Sequence, residues 1–139
     1  MLIRTGRWAS LGADAAKVRY QVFVVEQNVP VSIERDVHDG ECMHVVAYDE
    51  HGRAIGTGRL LPDGHIGRMA VLPTWRGKGV GSKMLQALVA AARQQNYAEV
   101  VLSSQVHARA FYERHGFVAE GLPYEEAGIE HILMRQVFR

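Results

Sequence analysis

Met69-Ala70-Val71-Leu72-Pro73-Thr74-Trp75-Arg76-Gly77-Lys78-Gly79-Val80-Gly81 is the stretch whose reading decides the fold. It leaves an apolar strand, is stopped by Pro73, and passes through a glycine-rich turn into a helix. Three glycines in five positions let the backbone turn sharply and come close to a ligand. Their amides fall at the N-terminus of the helix, where the macrodipole adds roughly half a positive charge. Arg76 and Lys78 add full charges beside the same turn. The chemistry calls for a phosphate or pyrophosphate. The third glycine comes one residue early for G-x-G-x-x-G, and the spacing is not G-x-x-x-x-G-K-[ST].

The elements around the turn set the class. Downstream, Gly79 to Gln95 places Val80, Met84, Leu85, Leu88, Val89 and Ala92 on one helical face. Glu99 to Ser103 reads as a short apolar strand, Val106 to His115 as a short helix stopped by Gly116. Phe117 to Glu120 and Ile129 to Val137 read as closing strands around a Pro123 to Gly128 loop. Upstream, His65 to Leu72 is a strand, preceded by a hairpin of His44 to Tyr48 and Arg53 to Leu61. Leu2 to Trp8 alternates like a first strand. Asp14 to Gln27 has Val18, Val22 and Val25 at helical spacing, against a β-branched run at Val22 to Val25. Pro30 to Gly40 reads as a polar loop with one helical turn. Hairpins first and then strand-helix-strand-helix-strand predict an α/β domain of the α+β kind, with a mixed, partly antiparallel sheet.

The chain has 139 residues, 47% apolar and 22% charged, which predicts one ordered domain over residues 1–139 and argues against disorder. The longest apolar run, Ala87 to Ala92, falls far short of the ~20 residues that span a bilayer. Arg4 and Arg7 have no apolar stretch behind them, so no secretory signal is expected. Cys42 is the only cysteine, which excludes an internal disulfide and suits a cytoplasmic protein. A net charge of +1 argues against a nucleic-acid partner. The charges are nonetheless segregated. From His65 to Arg114, Arg68, Arg76, Lys78, Lys83, Arg93, Arg109 and Arg114 face only Glu99 and Glu113. From Glu26 to Glu41, Glu26, Glu34, Asp36, Asp39 and Glu41 face only Arg35. An anionic ligand suits the middle of such a chain and a cationic one its flanks.

The spacing of Arg76, Gly79 and Gly81 resembles the R/Q-x-x-G-x-G/A pyrophosphate loop of the GNAT acyltransferase superfamily. Phe111-Tyr112-Glu113-Arg114-His115-Gly116-Phe117 is similar to its F-Y-x-x-x-G-F segment. The resemblance covers nearly the whole chain and narrows to the ElaA- and YjcF-like branch. Arg19 to Gln27 fits that branch's R-x-x-V-F-V-x-E-Q run, Asp36, Asp39 and His44 its following positions, and Ala127 to His131 its A-G-I-x-H segment.

The resemblance implies a central, mostly antiparallel sheet with a splayed parallel strand pair and flanking helices. It implies acetyl-CoA as cosubstrate and transfer of its acetyl group to a primary amine of a small-molecule acceptor by direct attack in a ternary complex. Met69, Ala70 and Val71 would pair with the pantetheine arm, and Arg76, Gly77, Lys78, Gly79, Val80 and Gly81 would hold the pyrophosphate. Gln105 stands where many members carry Asn to bond the same arm. Many members dimerise, which keeps a homodimer open, although no apolar stripe is left over from the core.

Acyl transfer poses two proton problems. A lysine-like amine is only about one part in 10³ neutral at pH 7, which costs roughly 4–5 kcal/mol unless a base takes its proton. The leaving thiolate needs an acid, and the resemblance puts Tyr112 in that place. Glu26 is the first candidate base, the alternative being a solvated helix end or an ion pair with Arg19. His44 and His131 could relay a proton through water, or be satisfied strand histidines. Asp36 and Asp39 either cap loop amides or, with His44 and His131, face the cleft and favour a cationic substrate. Asp36, His38, Asp39, Glu41 and His44 match no recognised metal pattern, and no metal is expected. Arg59 and Arg68 either bind a carboxylate or pair with nearby acids. Two other functions stay open: an acyl-CoA-binding sensor without turnover, and an acetyltransferase of protein lysines or N-termini.

Overall fold

The computed structural model describes residues 1–34 and 36–139. Arg35, the one base of the acidic stretch, lies outside the described residues. The described residues form one seven-stranded sheet in the order β1-β2-β3-β4-β5-β7-β6. Its strands are β1 (Leu2–Arg7), β2 (Met43–Tyr48), β3 (Ala54–Leu60), β4 (His65–Val71), β5 (Glu99–Gln105), β6 (Val118–Glu126) and β7 (Ile129–Val137). Every neighbouring pair is antiparallel except β4 and β5.

The helices cover the two faces. α3 (Val80–Gln94) lays Val80, Met84, Leu85, Leu88 and Ala92 against Val45, Ile55, Leu60, Val100, Leu102 and Met134, all buried. That stripe is the one its periodicity predicts. On the other face, α1 (Trp8–Arg19) packs Leu11 and Ala15 on Val46 and Tyr48. Val18 and, one turn further, Val22 cover Ala70. Leu11, Ala15, Val18 and Val22 are spaced four, three and four apart, so the helix begins at Trp8 and not at Asp14 as expected. Nor does it continue as α-helix to Gln27. From Tyr20 to Glu26 it widens to a π-helix, and the Gln27 amide donates five residues back to the Val22 carbonyl at 3.0 Å. The three β-branched valines at Val22, Val24 and Val25 crowd a normal turn, which fits the wider winding.

The polar segment that follows holds α2 (Val31–Glu34) and a 3₁₀ turn from Val37 to Glu41, which Asp36 caps by accepting from the His38 amide at 2.8 Å. A 3₁₀ turn at Val106–Ala108 leads into α4 (Arg109–Glu113). β6 runs on to Glu126, through the segment expected as a loop. Pro123 is tolerated because β6 is the edge strand and its register with β7 shifts between Glu120 and Tyr124. The connection shrinks to Ala127 and Gly128, both with positive φ (53° and 77°), the backbone of a tight hairpin turn.

Candidate active site

β4 and β5 stay together for only two residue pairs, His65↔Val101 and Ile66↔Leu102. Beyond Ile66 they part. The cause lies in β4, where Arg68 has φ 51° and the register with β3 slips between Thr57 and Arg59. A bulge of this kind bends its strand and raises the local twist. Gly67 to Val71 are therefore left without a partner on the β5 side. The gap opens into a cleft of about 1250 Å³ that reaches from Leu61 and His65 to the glycine turn and α4.

The turn forms the cleft's phosphate end. Gly77 and Gly79 have φ of 76° and 84°, and a Cβ on either would stand in open space. The helix that follows starts at Val80 with no side chain capping its first turn. Its free amides face the cleft through Gly79, Val80 and Gly81. Lys78 lies outside the lining, with its ammonium 5.1 Å from the centre of the Trp75 ring. Glycines with room above them, uncapped amides and Arg76 suit a pyrophosphate, and the unpaired edge at Met69 to Val71 suits a peptide-like arm.

Tyr112 lines the cleft where α4 meets the gap. Phe111 and Phe117 hold its ring in edge-on contact, 5.0 and 6.0 Å between centroids. Burial pushes its phenol up to about 12, so the hydroxyl stays protonated at any physiological pH. Gln105, at the end of β5, also lines the cleft, directly across the ladder from His131.

Glu26 reaches the cleft from the π-helix, but its carboxylate grips Arg76 through two bonds of 2.7 Å. Arg76 Nε also donates to the Val71 carbonyl at 3.0 Å. The bonds to Arg76 hold the Glu26 carboxyl below its usual range. Glu26 in this state is a strap across the cleft and a poor base. The ion pair expected with Arg19 does not form. Arg19 is buried and bonds instead to Glu34 and, at 2.7 Å, to Asp39.

Asp36, Asp39 and His44 do not line the cleft. Asp39 accepts from both Arg19 and Arg59 at 2.7 and 2.8 Å, and Asp36 accepts from Arg59 at 2.6 Å. Burial works to raise the Asp36 carboxyl, but Arg59 and the His38 amide bring it down to about 2. Asp39 is held low the same way, by Arg19 and Arg59 against its burial. Arg68 leans on the network, its guanidinium 3.7 Å from Asp36. The question of Arg59 and Arg68 thus resolves toward pairing with acids. His44 donates from Nε2 to the Asp39 carbonyl at 2.8 Å, with the Trp8 ring 4.9 Å away. Burial lowers its affinity for a proton. It is a satisfied strand histidine, whereas His131 lines the cleft.

Ser103 and Glu126 also line the cleft, and Ser103 bonds to the Tyr124 hydroxyl. The sequence reading missed this trio because β6 had been cut short at Glu120. Alternating register carries Tyr124 and Glu126 to the face where His131 sits, and only the pairing of β5, β7 and β6 reveals it. Among the described residues no group of three or more His, Cys, Asp or Glu could hold a metal ion. Among the described residues no helix is long and apolar enough to cross a membrane.

Known proteins share this fold. The acetyltransferase (GNAT) domain family matches residues 11–138. The chain belongs to the GNAT acetyltransferase family. It is 38% identical over 125 residues to the uncharacterised N-acetyltransferase YjcF of Bacillus subtilis, an alignment that spans 87% of this chain and 89% of that protein. Among solved structures, an acyl-CoA N-acyltransferase from Pseudomonas aeruginosa superposes with TM-score 0.85 at 33% identity, covering 98% of this chain and 99% of that one. Escherichia coli ElaA superposes with TM-score 0.87 at 27% identity, covering 98% of this chain and 99% of that one. The GNAT membership and the branch expected from the motifs both hold, as does the mixed sheet with its splayed pair.

Proposed function

We propose that this protein is an N-acetyltransferase that moves the acetyl group of acetyl-CoA to a primary amine of a small molecule by direct attack within a ternary complex. The observation that carries the reading is the single cleft in which an unpaired strand edge, an uncapped helix N-terminus and a half-buried tyrosine meet. Bound acetyl-CoA supplies an activated thioester. Gly77 to Gly81 and Arg76 hold its pyrophosphate, while Met69, Ala70 and Val71 offer backbone groups to its arm, joined by Gln105. An amide of that edge polarises the thioester carbonyl and stabilises the oxyanion that forms on it. Tyr112 donates its proton to the departing thiolate. A phenol at about 12 is a weak acid, but the same desolvation strengthens the thiolate as a base. Its virtue is that the proton is always there to give. A free, buried Cys42 fits the cytoplasm as the place of reaction.

The test follows CoA thiol release from acetyl-CoA across a panel of amines, with Tyr112→Phe beside the parent protein. Acceptor-dependent release is expected, falling about 10²- to 10⁴-fold in kcat in the variant, as for loss of a general acid. Acetyl-CoA should raise the melting temperature of both proteins equally. A thermal shift without release for any amine would point to the sensor reading. No shift at all would overturn the cofactor assignment.

A further inference from the structure

We propose that Ser103, Glu126 and His131 form the receiving end of the cleft, a subsite for a primary alkylammonium whose proton passes to His131 Nε2. The inference rests on the acetyltransferase reading and names the acceptor class and the base that reading leaves open.

The balance of donors and acceptors carries it. His131 is nine-tenths buried, with its side chain only 10% exposed, and lines the cleft. Its Nδ1 lies 2.8 Å from the Ile129 carbonyl oxygen, which can only accept, so Nδ1 carries the hydrogen. In the neutral ring Nε2 then presents a lone pair. The group it meets is the Glu126 carboxylate, an acceptor too, at 3.6 Å and too long for a hydrogen bond. Tyr124 stacks on the imidazole, 6.3 Å between centroids. Its hydroxyl bonds to Ser103, whose Oγ–H donates to Glu126 at 3.3 Å.

Acceptors thus converge from three strands and outnumber the donors that reach them: the Ser103 hydroxyl serves one Glu126 oxygen, and His131 Nε2 faces only a carboxylate. An ammonium, with three N–H groups and a positive charge, supplies what is missing. The other acids of the cleft are engaged: Glu26 by Arg76, and Asp63 by the amide and ring of His65 at 3.0 Å. Glu126 is the lining acid without a strong cationic partner among the described residues. Its charge also disfavours amines with a carboxylate beside the nitrogen, so α-amino acids should be worse acceptors than simple alkylamines.

The steps balance. The ammonium gives one proton to His131 Nε2, and the neutral nitrogen forms the new C–N bond to the thioester carbon. The C–S bond then breaks, and the sulfur leaves with the electron pair and takes the Tyr112 proton. The second proton shed by the nitrogen restores Tyr112, and His131 releases the first to water.

The experiment follows the His131 ring nitrogens by NMR in the cofactor-free protein. In the free state the spectrum should report the Nδ1–H tautomer. Butylammonium should shift Nε2, whereas butanol should not, and Glu126→Gln should abolish the response. Glu126→Gln should raise the amine KM about 10- to 100-fold with little change in kcat, as expected when a hydrogen bond to a charged group is lost. His131→Asn should instead lower kcat about 10²-fold or more. An unmoved His131 signal, alongside a Gly79 amide that responds to acetyl-CoA and a working Tyr112-dependent reaction, would overturn the subsite while sparing the acetyltransferase reading. If acetyl-CoA moves nothing and no amine reacts, the underlying reading fails with it.

Discussion

Two polar clusters flank the gap between β4 and β5, and they are built to opposite rules. On the β3 side, Arg19, Arg59 and Arg68 face Glu34, Asp36 and Asp39, with each carboxylate held by at least one guanidinium. Among the described residues the charges there are largely buried and matched in number. On the β5–β7–β6 side, Ser103, Tyr124, Glu126 and His131 bring mostly acceptors together. A buried network that closes on itself holds elements in place, here tying α1 and the loop before β2 to β3. A network left short of donors has room for a ligand to complete it.

The sharpest way to break the contrast is to remove one acid from each side. Asp39→Ala leaves Arg19 and Arg59 buried without their shared partner and should cost about 3–5 kcal/mol in urea denaturation. Glu126→Ala removes a half-exposed carboxylate and should change stability by less than about 0.5 kcal/mol. Equal losses would mean that both clusters are structural.

A pH series makes the next largest test. Asp36 sits at about 2 in the folded chain against an ordinary 3.8, and Asp39 is lowered too. Their contribution is whole above the unfolded value and is lost as pH falls from near 4 toward 2. His44 acts higher. Burial lowers its folded proton affinity below the ordinary 6.5, so the unfolded chain takes up a proton first. Stability therefore begins to fall once pH drops below about 6.5. Melting temperature against pH should show both limbs, and His44→Asn should remove the upper one alone. A single limb below pH 4 in the parent protein would refute the assignment of His44.

How much of this was legible in the chain follows from how local each signal is. The Arg76 to Gly81 turn and the stripe of α3 were readable because each is written in consecutive residues or one period, whereas the parallel pair came only with the resemblance that the motifs carry. Asp36 and Asp39 were singled out, and so were Arg19, Arg59 and Arg68, but not which acid each arginine meets, since the three arrive from α1, β3 and β4. The π-helix was visible only as a conflict between helical spacing and a β-branched run. Tyr124 was hidden behind Pro123, which reads as a strand breaker unless the strand is known to be an edge.

The smallest effect concerns the Glu26–Arg76 pair in the cleft lining. Glu26 and Arg76 make a bidentate bond, yet both side chains are about 40% exposed (37% and 43%). Pairs so open to water are worth only about 0–1 kcal/mol. Because Arg76 is the side chain expected on the pyrophosphate, acetyl-CoA must either share it with Glu26 or draw it away. Glu26→Gln removes the competing charge, so the acetyl-CoA Kd should tighten by no more than about fivefold, the equivalent of 1 kcal/mol. A Kd that weakens instead would mean that Glu26 positions Arg76 for the phosphates and does not compete with them. The strap would then belong with the closed network on the β3 side, as part of the frame that holds the cleft in shape.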